Sequence, residues 1–155
     1  MAKIHPSLKL TQQEIDSLMG RESRLRIATL GPGEEINLTP MTFGWAAGNV
    51  YIFARGQKIA NLRRNTTATV LVDIGSAWRE LKGIMMHGKV RILETSDDEE
   101  NDKGLSLARL NLGEKHKLMK NGTIQPYAAS ASGRSRRWIV FTPHEVVSWN
   151  NENLP

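Results

Sequence analysis

Hydrophobic and polar positions alternate along most of this chain, and where alternation stops they repeat at helical spacing. Between Thr11 and Gly20, residues Ile15, Leu18 and Met19 share one helical face. Thr11 can cap this helix with Glu14 three residues on, and Gly20 is expected to end it. Leu25, Ile27 and Thr29 then alternate with Arg24, Arg26 and Ala28, the pattern of a half-buried strand. Gly31-Pro32-Gly33 turns the chain, and Ile36, Leu38 and Pro40 share one side of the returning strand, giving a hairpin. Phe43 to Trp45 either extends that strand or follows it after a bend. Ala46-Ala47-Gly48-Asn49 makes a turn, and Val50 to Phe53 leads back as a third strand that Gly56 breaks. From Gln57 to Asn65 the spacing of Ile59, Ala60 and Leu62 predicts about two turns of helix with Asn65 as its stop. Ala68 to Val72 is β-branched enough for a central strand.

Alternation returns from Leu81 to Leu93, with Ile84, Met86, Gly88, Val90 and Ile92 on one side, and Gly83 and Gly88 permit the bend that barrel closure needs. The acidic run from Ser96 to Asp102 opens a helix that continues through Leu105, Leu107, Ala108, Leu110 and Leu112. Gln125 to Ser135, rich in Ala, Ser and Gly, reads as a mobile loop. Trp138 to Phe141 and Glu145 to Trp149 are the last strands, with Thr142-Pro143-His144 between them. The elements describe a mainly β (α+β) protein: an antiparallel barrel of at least six strands with helices packed around it. One domain is expected over 1–155, with an N-terminal helix in 1–20 and the barrel in 21–150.

Composition narrows the chemistry. The 155 residues include no cysteine, which removes disulfides and thiolate metal sites and fits a reducing compartment. Met-Ala-Lys-Ile-His-Pro-Ser lacks the apolar run of a signal peptide, and no segment approaches the roughly 20 apolar residues of a membrane span. A cytoplasmic protein without membrane association is the expectation. A net charge of +5 favours anionic partners. The positive charge is dispersed except in two clusters, Arg55 to Arg64 and Arg134 to Arg137, and no aromatic-interleaved basic stripe of the nucleic-acid kind is present. His87 and His116 have no second ligand at a metal spacing, so no metal site is expected. No strained-elbow motif supports a nucleophilic serine.

Several short motifs in order carry a family resemblance. Thr29-Leu30-Gly31-Pro32, Pro40-Met41-Thr42-Phe43, Lys58-Ile59-Ala60-Asn61-Leu62-Arg63-Arg64-Asn65 and Val70-Leu71-Val72-Asp73 together resemble the flavin-binding split β-barrel superfamily, which includes pyridoxamine phosphate oxidase and the flavin- or deazaflavin-dependent oxidoreductases. The Lys-x-x-Asn-Leu-Arg-Arg pattern is most similar to the branch that uses coenzyme F420, some members of which use FMN. Leu81-Lys82-Gly83 through Gly88 and the closing Ser148-Trp149 also fit, so the resemblance spans roughly residues 20 to 150. It implies a six-stranded antiparallel split barrel that forms a homodimer with two cofactor sites at the subunit interface. It further implies a cofactor phosphate held by basic residues at a strand-to-helix junction and a ring system over the strand that contains Pro40, Met41, Thr42 and Phe43.

The residues themselves accord with that site. Lys58 lies in the first turn of its helix, where free backbone N–H groups and the macrodipole attract anions, and Arg55 adds a forked donor just before it. Arg63 and Arg64 either reach the cofactor, or face solvent or the partner subunit, because successive helix positions point about 100° apart. Asn61 belongs to the same motif and is equally suited to cross-linking the turn. Trp78, Tyr127 and Trp149 are candidates for stacking on the ring, lining a substrate pocket or filling the core. The expected activity is hydride transfer between reduced F420 and an organic substrate, the cofactor carrying the chemistry and no paired-carboxylate site being present. FMN is the alternative cofactor, since the chain departs from the family pattern at Gly56-Gln57 and Thr66-Thr67. The alternative function is a non-catalytic carrier of a flavin, F420 or a tetrapyrrole.

Overall fold

A computed structural model describes residues 4–127 and 135–155. In chain order its elements are α1 (Gln12–Arg21), β1 (Arg24–Leu30), β2 (Ile36–Thr42), β3 (Gly44–Ala46), β4 (Asn49–Ala54), α2 (Gln57–Arg64), β5 (Thr67–Ile74), β6 (Lys82–Leu93), α3 (Ser96–Asn101), α4 (Leu105–Lys115), a small hairpin of β7 (Met119–Lys120) and β8 (Thr123–Ile124), and β9 (Arg137–Asn150). No helix among the described residues is long and apolar enough to cross a membrane.

The main sheet is antiparallel, in the order β2-β1-β5-β6-β9-β4-β3. β2 and β3 stand at opposite edges of that order, yet only Phe43 separates them in the chain. The sheet must therefore curl until its two edges meet at Phe43. Taken as one bent strand, β2 and β3 bring the count to six, the split barrel that the alternation and the resemblance predict. Every second residue points inward, and Leu25, Ile27, Val70, Ile84, Ile139 and Phe141 fill the interior. α1 and α2 close it with Ile15, Leu18 and Met19 and with Ile59 and Leu62. A second apolar cluster lies on the outside, where Leu105, Ala108 and Leu112 of α4 cover Tyr51, Phe53, Trp138 and Val140.

Four local features differ from the sequence expectation. α1 forms the full capping box at Thr11 and Glu14 but runs through Gly20 to Arg21, the Gly20 carbonyl accepting from Asn111 Nδ2 at 3.0 Å. The helix expected to continue from Ser96 is broken into α3 and α4. Asp102 turns away from the helix axis to accept from Tyr51 Oη at 2.7 Å, from Arg91 and from the Gly104 amide. Burial opposes the charge on Asp102, but those three donors and the Arg91 charge outweigh it and hold the carboxyl below its usual range. Burial first, then the Asp102 bond, pushes the Tyr51 phenol well above its ordinary value. The two expected final strands are one, β9, because β6 pairs with it along its whole length: Gly88 faces Pro143 and His87 faces Glu145, so His144 is accommodated as a bulge. The hairpin β7–β8 carries no hydrophobic alternation in the sequence. Of the loop expected over Gln125 to Ser135, residues 128–134 lie outside the described residues.

α4 is locked onto the corner where the barrel closes. Gly44 packs so tightly on it that a Cβ there would collide with the Ala108 carbonyl, and the Trp45 amide donates to Asn111 Oδ1 at 2.9 Å. Lys115 donates from Nζ to the Phe43 carbonyl at 2.9 Å, with its nitrogen 3.5 Å from the centre of the Phe43 ring. Burial lowers the Lys115 pKa to about 7, and the Glu22 charge only partly offsets it.

Gly44→Ala is expected to destabilise the fold by about 1–3 kcal/mol, as overpacking against rigid backbone does, read as a lower urea midpoint. An unchanged midpoint would contradict the packing described. Lys115 makes a signed pH prediction. The unfolded chain keeps its proton up to about pH 10.4, whereas the folded chain releases it near pH 7, so wild-type stability gains from Lys115 as pH rises through that window. Below pH 7 both states are charged and the burial cost is complete. Lys115→Met should therefore compare most favourably with wild type at pH 6 and progressively less so by pH 9; parallel melting profiles would refute it.

Candidate functional site

The site is built where β4 leaves the sheet and α2 begins. Ala54 is the last residue of β4, Arg55 is exposed, and Gly56 adopts φ 75°, ψ −142°, a region in which a side chain is strained. That turn lets the chain enter α2 within two residues. The first helical bonds run from the Ile59 and Ala60 amides to the Gly56 carbonyl. The Gln57 and Lys58 amides therefore have no acceptor among the described residues, and no side chain caps the helix. Lys58 is half-buried, and neither it nor Arg55 has a carboxylate within ion-pair distance among the described residues. Two free amides, an ammonium and a guanidinium at one helix start are the groups an anion would require.

The other members of the basic cluster are engaged elsewhere. Arg63 makes a forked pair with Glu94, Nε to Oε1 at 3.0 Å and Nη2 to Oε2 at 2.9 Å, joining α2 to the end of β6. Arg64 reaches back along its own helix to Asn61 Oδ1 at 2.7 Å and to the Ala60 carbonyl at 3.4 Å. Asn61 is fully buried: its Oδ1 also accepts from Gln57 Nε2 at 2.7 Å, and its Nδ2 donates to Thr29 Oγ1 at 3.1 Å. It cross-links α2 to β1.

The strand expected to back a ring system lies on the far side of that anchor. Asn37, opposite Thr29 in the hairpin, sits close to Asn61 across Gly31, and from Asn37 to Thr42 the strand advances roughly 17 Å. Among the described residues β2 pairs with β1 alone, which leaves its other backbone edge unpaired in the sheet, and Pro40, lacking an N–H, is suited to that edge. Pro40 is exposed, Met41 is half-buried against the interior, and Thr42 is half-buried. Phe43 is completely buried, so only its backbone is offered, and Lys115 already holds its carbonyl. Outside Pro40 a cleft of about 540 Å³ is lined by Glu22, Arg24, Arg26, Thr39 and Asp73, with Arg26 and Asp73 paired at 2.7 Å. The Thr39 hydroxyl is buried there without a hydrogen-bond partner among the described residues.

The aromatic candidates separate. Trp149 lies on Gly83, where its ring occupies the space of a Cβ, and β1, β5 and β6 stand between its strand and β2. Trp78 is 70 % exposed on a turn preceding β6, its carbonyl held by Asn151. Neither is brought to the Pro40 to Phe43 strand. Tyr127 stacks on His116, with ring centres 5.2 Å apart, and meets Trp138 edge-on in the outer cluster.

Two residues emerge only from the fold. Lys115 gives no signal in the sequence, since a lysine in a last helical turn ordinarily serves the macrodipole. Arg136 belongs to the second basic cluster, but its position depends on strand pairing. Ala54 pairs with Arg137, so Arg136 stands one step beyond the pair, beside Arg55, with its guanidinium 5.9 Å from the centre of the Phe53 ring. Arg134 of that cluster lies outside the described residues.

Solved structures share this architecture at low identity. A conserved hypothetical protein, Rv2991 from Mycobacterium tuberculosis, superposes with a TM-score of 0.78 at 20% identity, covering 99% of this chain and 92% of that one. A FAD-binding protein from Mesorhizobium loti gives 0.63 at 18%, covering 90% and 94%. A protein described as an F420 reductase gives 0.60 at 18%, covering 85% and 94%. No curated protein matches the sequence. The family model described as pyridoxamine 5'-phosphate oxidase matches residues 11–150, from the α1 cap to the end of β9, and by that match this chain belongs to the pyridoxamine 5'-phosphate oxidase family of split barrels.

Proposed function

We propose that this protein is a cofactor-dependent oxidoreductase that moves a hydride between reduced coenzyme F420, or alternatively FMN, and an organic substrate, working as a homodimer with its cofactor sites at the subunit interface. The observation that carries the reading is the helix start at Gly56 to Lys58, where two amides are free and Lys58 and Arg55 have no carboxylate partner among the described residues. The residues present fit a phosphorylated, ring-bearing cofactor. The glycine turn leaves open space beside the amides, and the unpaired backbone edge of β2 offers hydrogen-bonding groups to a polar ring edge. The roughly 17 Å that β2 advances from Asn37 to Thr42 is the length scale of a ribityl phosphate and its ring.

When bound, the flavin or deazaflavin supplies the hydride chemistry. The chain's own contributions are positional. Lys58 and Arg55 neutralise the phosphate, Asn61 fixes α2 against β1 so that the seat does not move, and Lys115 fixes the backbone at Phe43. The outer sheet face supports the dimer. Ile36 and Leu38 are 69 % and 64 % exposed, and Leu71, Met85 and Val147 form an apolar row in register across β5, β6 and β9, separated from Pro40 by Arg26 of β1. The similarity to an F420 reductase and a FAD-binding protein supports a flavin-like cofactor.

Lys58→Ala is expected to weaken binding of F420 or FMN by at least about tenfold in a fluorescence titration, the scale of one lost charge-assisted hydrogen bond. Unchanged affinity would remove Lys58 from the site. Consumption of the reduced cofactor with a panel of acceptors separates enzyme from carrier: tight binding with no turnover on any acceptor would establish the carrier. Leu38→Asp should shift the protein from dimer to monomer in light scattering and lower cofactor affinity with it. A dimer that survives the change would move the interface elsewhere.

A further inference from the structure

The two basic clusters of the sequence meet in the fold, and the balance of charge at the meeting point exceeds what one phosphate requires. We propose that Arg136, together with Arg55, forms a second anion subsite that takes an additional anionic group on the cofactor's tail, and so selects a multiply charged flavin-type cofactor over one bearing a single phosphate. This rests on the cofactor site proposed above.

The β4–β9 ladder ends at the Ala54–Arg137 pair, and Arg55 and Arg136 are the next residues on the two chains beyond it. The Arg136 side chain is held in place. It is half-buried, its guanidinium lies over the Phe53 ring, and Phe53 is itself stacked on Trp138 with ring centres 4.9 Å apart. The neighbouring cations are occupied: Arg63 by Glu94, Arg64 by Asn61 and the Ala60 carbonyl. Arg55, Lys58 and Arg136 have no carboxylate within ion-pair distance among the described residues. A phosphate monoester carrying about two negative charges is matched by Lys58, the two helix amides and one further cation. One cation remains, and like charges gathered without a counter-ion repel one another unless an anion joins them.

The shared chemistry is a second anionic group beyond the ribityl phosphate. It has two sources, the diphosphate of FAD and the polyanionic tail of F420, whereas FMN has neither. The test is fluorescence titration of FMN, FAD and F420 into wild type, Arg136→Gln and Lys58→Ala. Arg136→Gln is expected to weaken FAD or F420 by about tenfold and to leave FMN within about twofold, and which of the two is affected identifies the source. It should also flatten the dependence of that cofactor's affinity on salt, which in wild type is steeper than that of FMN. Unchanged melting of Arg136→Gln confirms that the fold is intact. Equal effects on all three cofactors, or no effect on any, would overturn the second subsite while leaving the phosphate seat standing if Lys58→Ala still weakens all three. Failure of wild type to bind any of the three would overturn the cofactor reading, and this inference with it.

Discussion

Closure of the sheet at Phe43 is the constraint on which the rest of the structure depends. A single residue joins β2 to β3, so the two edges of a seven-strand order must meet, and the curl that brings them together creates an enclosed interior. Phe43 itself is completely buried at that seam. The corner needs external support because a β-strand that bends sharply loses ladder bonds on both sides. α4 provides it, through close approach at Gly44, the Asn111 bond to the Trp45 amide and the Lys115 bond to the Phe43 carbonyl. A lysine in that place carries a cost in charge burial that a methionine would not, and that cost secures a donor for a carbonyl that the bend removes from the sheet.

Once the barrel is closed, its ends must be covered, and α2 does this at the end where β4 leaves. Its apolar stripe of Ile59 and Leu62 faces inward, which forces the intervening positions outward or sideways. Asn61 points inward with the apolar residues and is satisfied by Thr29, Gln57 and Arg64, so a buried polar group becomes a fastener between helix and strand. The same geometry carries Arg63 to Glu94 and leaves Lys58 at the helix start facing none of the chain's carboxylates within ion-pair distance among the described residues. A cluster that reads as uniform positive charge is thus divided by helical phase into fasteners and free cations.

The outer face has its own logic. Outward residues of β2, β1, β5, β6 and β9 form rows in register, and several are apolar where an isolated sheet would present polar side chains to water. The other outside surface, over Tyr51, Phe53 and Trp138, is covered by α4 from the same chain. The break between α3 and α4 lets that helix lie there, and the Tyr51–Asp102–Arg91 network fixes the break.

Most of the fold was legible in the sequence because its signals are local. Period-two alternation located β1 and β6, β-branched content located β5, and the turn at Ala46 to Asn49 located β4; Thr11 and Glu14 located the α1 cap; and Gly31-Pro32-Gly33 located the hairpin. The start of α2 was legible for the same reason, since Gly56 breaks the preceding strand just before the helical spacing begins. The family match over residues 11–150 accords with the reading of the fold. What the sequence could not contain was any choice that depends on partners distant along the chain. Only the tertiary structure decided that Asp102 breaks a helix to reach Tyr51, that one continuous β6 makes β9 a single bulged strand, and that Asn61 is a buried fastener. It also decided which arginines are paired and brought Arg136 beside Arg55. Periodicity fixes which face a residue occupies, because that follows from backbone geometry within a few residues. Which group it meets there follows from strand order and register, which are set by the closure of the whole sheet.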